Sequence, residues 1–318
     1  MIVFLVSRAH RYTHRELKDT GRFDLKIRSY HRTWNSLRLH RATYIFSDLD
    51  RLDFWQLELA ARLHRSLSRA GVTVLNDPAR VRQRYGLLKT LHARGLNRFD
   101  VWRVEEGLDS VRFPAFLRTA SAHRGPLTDL LHDVEEARVA VEDALERGVP
   151  RREMILVEYR AEPVKEGIFR KLGAFRVGER LVPTISVHDD QWAAKDGKRG
   201  LAGEELYRDE HEIVVTNRYE DELWPAFEAG EIEYGRADFG LVEGRVEVYE
   251  INTNPMVEVP SSHPFPIRLE AARIAFEKLV EAFEAVDTPG GGRLKLDDEV
   301  FRKQRRRDLW GLRSPWIP

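Results

Sequence analysis

The chain of 318 residues contains no cysteine, which excludes disulfides, thiolate zinc centres and iron–sulfur clusters. It also lacks a long apolar run. Met1-Ile2-Val3-Phe4-Leu5-Val6 gives way to Ser7-Arg8, short of a secretory core or of the roughly 20 residues that a spanning helix needs. A cytoplasmic protein with no membrane partner is expected. Neither charge is in surplus, with 52 Lys+Arg against 52 Asp+Glu, whereas a general nucleic-acid binder carries a basic excess. Nucleic acid is therefore not the expected partner. No Gly-x-x-x-x-Gly-Lys-Ser/Thr loop is present, and Gly290-Gly291-Gly292 lacks the strand–helix context of a phosphate loop.

What is present suits a globular protein with a substantial core, at 42% hydrophobic and 33% charged residues. The length implies two or three subdomains. Up to Asp77 the chain alternates β-rich runs (Ile2–Val6, Leu25–Ser29, Ala42–Ser47, Val72–Leu75) with helical ones, which predicts a parallel α/β unit. Asp53 and Gln56 form a capping box ahead of a stripe of Trp55, Leu59, Leu63 and Leu67, and Gly71 ends the helix. Asn76-Asp77-Pro78 opens a second unit, with helices over 81–94 and 127–147 and strands over 99–104, 113–117 and 154–159. A third unit reads as a hairpin (168–177 and 180–187), a helix over 218–229, paired strands 234–241 and 245–252, and a helix over 266–285. After a linker at 288–292 comes a basic tail. The expected division is 1–77, 78–160, 161–288 and 289–318.

The segment richest in chemistry is Arg236-Ala237-Asp238, followed by Tyr249-Glu250-Ile251-Asn252-Thr253-Asn254-Pro255. Glu250 and Asn252 lie two apart on a strand, so both face one side. A carboxylate and an amide oxygen suit a hard cation such as Mg²⁺. Whether Asp238 joins them depends on hairpin parity. A two-residue loop at Glu243-Gly244 would turn Asp238 to the other face. A three-residue loop, Val242-Glu243-Gly244, would bring it round, with Arg236 facing Glu250 and Asp238 diagonal to it at about 7–8 Å. The longer, bulged loop is predicted.

Arg-x-Asp followed after twelve residues by Glu-Ile-Asn-x-Asn-Pro resembles the metal hairpin of the ATP-grasp superfamily, carboxylate–amine/thiol ligases of the D-alanine–D-alanine ligase and RimK-like type. The resemblance implies an α/β (α+β) ATP-grasp fold, in which an N-terminal parallel α/β subdomain and two α+β subdomains enclose a nucleotide cleft. It implies ATP as cosubstrate and Mg²⁺, with Mn²⁺ as the alternative, on Asp238, Glu250 and Asn252. Phosphate contacts fall on Arg84 and Arg118, where the family usually has Lys, with Lys89 a competitor for the first. Thr119-Ala-Ser-Ala-His123-Arg-Gly125 resembles the phosphate-covering loop, which makes His123 a cofactor contact. Val157, Glu158 and Tyr159 match the hinge whose backbone pairs with adenine. Glu166, or Glu162, would take the ribose, and Arg170 or Lys171 would approach the phosphates.

Arg236 and Arg118 are the expected catalytic cations, and His188 and Trp192, with Arg236, the expected substrate contacts. The implied reaction joins a small-molecule or peptide carboxylate to an amine through an acyl phosphate. A kinase acting on a small acceptor and a non-catalytic nucleotide-binding or interaction protein are the alternatives, and a homodimer is left open. Deleting the chain beyond Gly292 is expected to spare catalysis. His10 and His14, spaced four apart without a third ligand, read as capping or surface residues.

Overall fold

A computed structural model describes residues 1–121, 125–194 and 197–309. The first unit is a parallel sheet in the order β2-β1-β4-β5, formed by β1 (Ile2–Val6), β2 (Leu25–Ser29), β4 (Thr43–Phe46) and β5 (Val74–Leu75). Helices α1 (Arg15–Asp19), α2 (Tyr30–Trp34) and α3 (Phe54–Arg69) accompany it, with a short β3 (Arg38–His40). The parallel pairing agrees with the runs of aliphatic residues, since strands covered on both faces need apolar side chains throughout. All of β1 is buried. The predicted capping box at Asp53 and Gln56 is present, and Gly71 has a φ of +69°. Leu59, Leu63 and Leu67 are buried, whereas Trp55 at the first turn is about half exposed.

The chain continues through α4 (Arg84–Ala93), β6 (Val101–Arg103), β7 (Ala115–Thr119), α5 (Val134–Glu146) and β8 (Met154–Glu158). These strands form an antiparallel sheet with β8 in the middle. Helix α5 is shorter than its sequence pattern because Asp133 caps it, accepting from the amides of Glu135 and Glu136. The next sheet contains β9 (Pro163–Lys165), β10 (Ile168–Val177), β11 (Arg180–Pro183) and β12 (Val187–Asp189). After α6 (Glu204–Thr216), which sequence patterning missed, and α7 (Glu220–Gly230) come β13 (Tyr234–Val242) and β14 (Arg245–Asn252). The sheet runs β11-β10-β13-β14, with β9 and β12 also pairing with β10. Helix α4 packs into the core beneath this sheet, through Leu87, Leu88 and Leu91.

The hairpin register corrects the loop prediction. Val242 pairs with Arg245, so Glu243-Gly244 is a two-residue turn. Both residues have positive φ, 51° and 74°, as a type I′ turn requires. The parity change comes instead from a bulge further in. Phe239 pairs with Val248 but Asp238 with Glu250, leaving Tyr249 as the extra residue. Asp238 thus lies directly across from Glu250, and Arg236 across from Asn252.

Helix α8 (Pro266–Val286) precedes β15 (Arg293–Lys295) and α9 (Glu299–Leu309). The tail, expected to trail from a linker, folds back on the first unit. β15 pairs with β3, and Leu296, Val300 and Phe301 enter the same core as Leu59 and Leu63.

Candidate active site

Asp238, Glu250 and Asn252 share one face of the hairpin and line a cleft of about 330 Å³ between the two antiparallel sheets, within the usual size range of small-ligand sites. Four cations converge on the two acids. Arg84 Nη2 donates to Glu250 Oε2 at 2.6 Å, and Arg118 Nη2 to the same oxygen at 3.3 Å. Arg236 Nε donates to Asp238 Oδ1 at 2.9 Å, and Lys171 Nζ lies 3.3 Å from Asp238 Oδ2. Arg84 also donates to the carbonyl of Thr119 at the end of β7, 2.8 Å away. Burial, then the neighbouring Arg84, pushes Arg118 down to about 10 against the opposing pull of Glu250, which leaves it charged at neutral pH. Asp238 chiefly holds the Arg236 guanidinium above its usual range.

This donor set fits a hard divalent cation carried by a polyphosphate. Two carboxylates and an amide oxygen are ligands Mg²⁺ accepts, and the surplus of cations matches a triphosphate. Among the described residues no group of three His, Cys, Asp or Glu side chains forms a metal cluster; Asn252 would supply the third oxygen.

The other end of the cleft is aromatic. Trp192 packs on Phe116 with ring centroids 4.7 Å apart and meets Tyr159 edge-on at 5.6 Å. Tyr249, Phe99 and Val157 line the same cleft. The bulge explains how Tyr249 and Glu250, neighbours in a strand, both reach it. Gly240 leaves room for the ring, since a Cβ there would sit 2.3 Å from Tyr249 Oη.

Several predicted contacts are placed differently. Lys89 lies over the Trp102 ring and bonds Asp100 at 3.0 Å, away from Glu250, so of the two candidates Arg84 reaches the acidic end. Arg170 touches the cleft wall, but its guanidinium is engaged by Asp209 of α6 at 2.5 Å. It shares a face with its partner His188, and period-two alternation sends its neighbour Lys171 to Asp238 instead.

Glu166 sits in the exposed β9–β10 turn outside the cleft lining, whereas Glu162 lines it and accepts from the Glu243 amide at 2.7 Å. Val157 lies within the sheet, paired on both sides. The amides of Glu158 and Tyr159 donate to Asp100 and Pro114, so they are not open to a base; the backbone that continues into the cleft is 160–162. The Glu158 carboxylate is buried. Burial would raise it, but Arg112 and two amides hold it below the usual range.

His188 is buried outside the cleft lining, against Tyr207. Burial, with Arg170 and Arg268, pushes it down to about 4. Trp192 lines the cleft, but at its aromatic end rather than beside the acids. His123 falls outside the described residues. Sequence reasoning missed Tyr249, whose position depends on the bulge, and ranked Lys171 only as an alternative; the register of β10 against β13 was the missing datum. His14, read as a capping or surface residue, is fully buried.

A small antiparallel sheet and a larger one closing on a cleft, with Asp, Glu and Asn on the larger one's hairpin and a parallel α/β unit in front, define the ATP-grasp fold, and the chain has that fold. No family model matches the sequence, and no curated protein matches it. Solved structures match it in shape. A D-alanine–D-alanine ligase from Bacillus anthracis is 13% identical, covering 97% of this chain and 99% of its own, with a TM-score of 0.51. The same ligase complexed with ATP gives 13% identity, the same coverage and a TM-score of 0.50. The VanG D-Ala:D-Ser ligase from Enterococcus faecalis is 12% identical over 90% of this chain and 98% of its own, with a TM-score of 0.53.

Proposed function

We propose that the protein is an ATP-dependent carboxylate–amine ligase, with the triphosphate at the acidic end of the cleft and the base among its aromatic residues. The observation that carries this reading is the pairing of Asp238 with Glu250 beside Asn252, ringed by Arg84, Arg118, Arg236 and Lys171. Asp238, Glu250 and Asn252 would hold Mg²⁺, which when bound neutralises phosphate charge and aligns the transferring group. Arg84 and Arg118 exchange Glu250 for phosphate oxygens as nucleotide enters, freeing the carboxylate. Main chain at 160–162 meets the edge of the base, with Phe116, Trp192 and Tyr249 against its faces, and Glu162 is the ribose candidate.

The acid substrate's oxygen attacks the γ-phosphorus as ADP leaves, and the amine then displaces phosphate from the acyl carbon and loses a proton. Arg236 steadies the oxygens of the transferring group, and the closed cleft keeps water from the acyl phosphate. The solved structures that share the fold, a D-alanine–D-alanine ligase and a D-Ala:D-Ser ligase, favour an amino acid or short peptide as the acid.

The test is calorimetric titration with a non-hydrolysable ATP analogue, with and without Mg²⁺, on the natural protein and on Glu250→Gln. Metal-dependent binding that Glu250→Gln loses supports the site, and ADP release on adding an acid and an amine together supports the ligase. A stable phosphorylated product without condensation would make the protein a kinase. No analogue binding in either condition would refute the nucleotide site.

A further inference from the structure

Asn252 stands at the end of β14, where the chain leaves the sheet and crosses to the first unit. Its amide oxygen already accepts one hydrogen bond, from the Asn254 backbone N–H at 2.8 Å. That bond orients the amide and leaves the second lone pair of Oδ1 open. Asn254 is itself buried and tethered to the first unit. Its Oδ1 lies 3.0 Å from the Thr13 hydroxyl and 3.0 Å from the Ser47 hydroxyl. Ser47 has one proton to give and a shorter bond available, to the Thr253 carbonyl at 2.5 Å. The Thr13 hydroxyl has the His10 carbonyl at 3.1 Å as a second acceptor, but only its bond to Asn254 leaves that buried oxygen with a donor.

The direction of the remaining bonds follows from counting protons. Thr13 Oγ1 lies 2.8 Å from His14 Nδ1, and His14 Nε2 lies 2.6 Å from the Tyr234 hydroxyl. His14 is fully buried, stacked on Phe4 at 3.9 Å, and burial keeps it neutral. A neutral imidazole donates through one nitrogen and accepts through the other. If Nδ1 accepted, Thr13 would spend its proton there and Asn254 would lose its donor. With Nδ1 donating, the Tyr234 hydroxyl gives to Nε2, Nδ1–H gives to Thr13, and Thr13 gives to Asn254. This second tautomer satisfies every group in the chain.

We propose that Thr13, aimed by His14, is a positioning residue for the metal-binding amide of Asn252, acting through Asn254. The inference rests on the reading of Asn252 as a Mg²⁺ ligand. It gives the parallel unit a part in the cation site although none of that unit's side chains belongs to the Asp238–Glu250–Asn252 trio. Outer groups that orient a ligand carry roughly 10- to 100-fold of metal affinity, and an amide, with no charge to compel its direction, depends on them for its rotamer.

Mn²⁺ affinity is to be measured by electron paramagnetic resonance in the presence of a saturating non-hydrolysable ATP analogue. The natural protein is compared with Asn252→Ala, Thr13→Val, Thr13→Ser and Asn254→Ala. Asn252→Ala is expected to weaken Mn²⁺ by about 10-fold or more, Thr13→Val and Asn254→Ala by about 10-fold, and Thr13→Ser to restore the natural value. Asn254→Ala keeps the result readable if Thr13→Val fails to fold, because Thr13 and Ser47 retain carbonyl acceptors at His10 and Thr253. Mn²⁺ binding unchanged in Asn252→Ala overturns the ligand reading and the relay together. Weakening in Asn252→Ala with natural affinity in Thr13→Val and Asn254→Ala overturns the relay alone.

Discussion

In the proposed phosphate site Arg84 and Arg118 take the places that the family resemblance gives to lysine, and the difference is one of geometry. A guanidinium offers a planar fork of donors, so Arg84 can hold the Thr119 carbonyl and Glu250 together where an ammonium would act as a point charge. Removing one such donor from a buried phosphate site costs about 1.5–3 kcal/mol. Arg118→Ala is accordingly expected to weaken binding of an ATP analogue by roughly 10- to 100-fold with little change in fold, which calorimetry would read directly. Unchanged affinity would remove Arg118 from the site. Arg84 and Lys89 could not be ranked from sequence, as both occupy one helix a turn and a half apart. Their directions were settled by what lies opposite, Glu250 for one and Asp100 with Trp102 for the other.

At the scale of the element, the hairpin shows how far pattern reasoning reaches. The requirement that Asp238 and Glu250 share a face implied an odd residue somewhere in the pairing. The turn looked like its place because Gly244 suits a left-handed position. Glu243 adopts one as well, the tight turn forms, and the odd residue becomes Tyr249. Gly240 makes that possible by lying under the ring. Gly240→Ala would meet Tyr249 2.3 Å from its Cβ, and is expected to cost about 1–3 kcal/mol by overpacking and to weaken nucleotide binding as the ring shifts. Urea denaturation and analogue titration would measure the two effects. A variant matching the natural protein in both would show that the ring is free to move aside.

At the scale of the molecule, the first unit is held to the rest at several points. Asn76, with a φ of +64°, donates to the Phe46 and Tyr234 carbonyls and accepts from the Glu233 and Tyr234 amides, stapling β4 to β13. The C-terminal segment adds Leu296, Val300 and Phe301 to the first unit's core. Deletion beyond Gly292 is therefore expected to cost on the order of 5 kcal/mol and to take activity with it, contrary to the expectation from sequence. A denaturation midpoint equal to that of the full chain would contradict this.

Acid should loosen the same region. His14 is held down to about 3 by burial, below the roughly 6.5 of an unfolded chain. The unfolded state therefore binds the extra proton as pH falls from about 6.5 towards 3, and stability drops by about 1.4 kcal/mol per pH unit. Above about 6.5 both states are neutral and the contribution is complete. Unfolding free energies should be nearly flat from pH 7.5 to about 6.5 and fall with this slope between pH 6 and 5, less steeply in His14→Gln; an equal slope in the variant would exclude His14 as its source.

The sequence alone determined the parallel unit, the capped helix and the strands that carry Asp238, Glu250 and Asn252, because period, capping and short spacing are local properties of a chain. Only the tertiary structure decided which cations face the acids, where the bulge lies and that the basic tail is part of a core. Those outcomes turn on register between strands far apart in sequence, and a shift of one residue there exchanges the two faces of a sheet. Lys171 and Arg170, adjacent in sequence, were separated in this way, one to Asp238 and the other to Asp209.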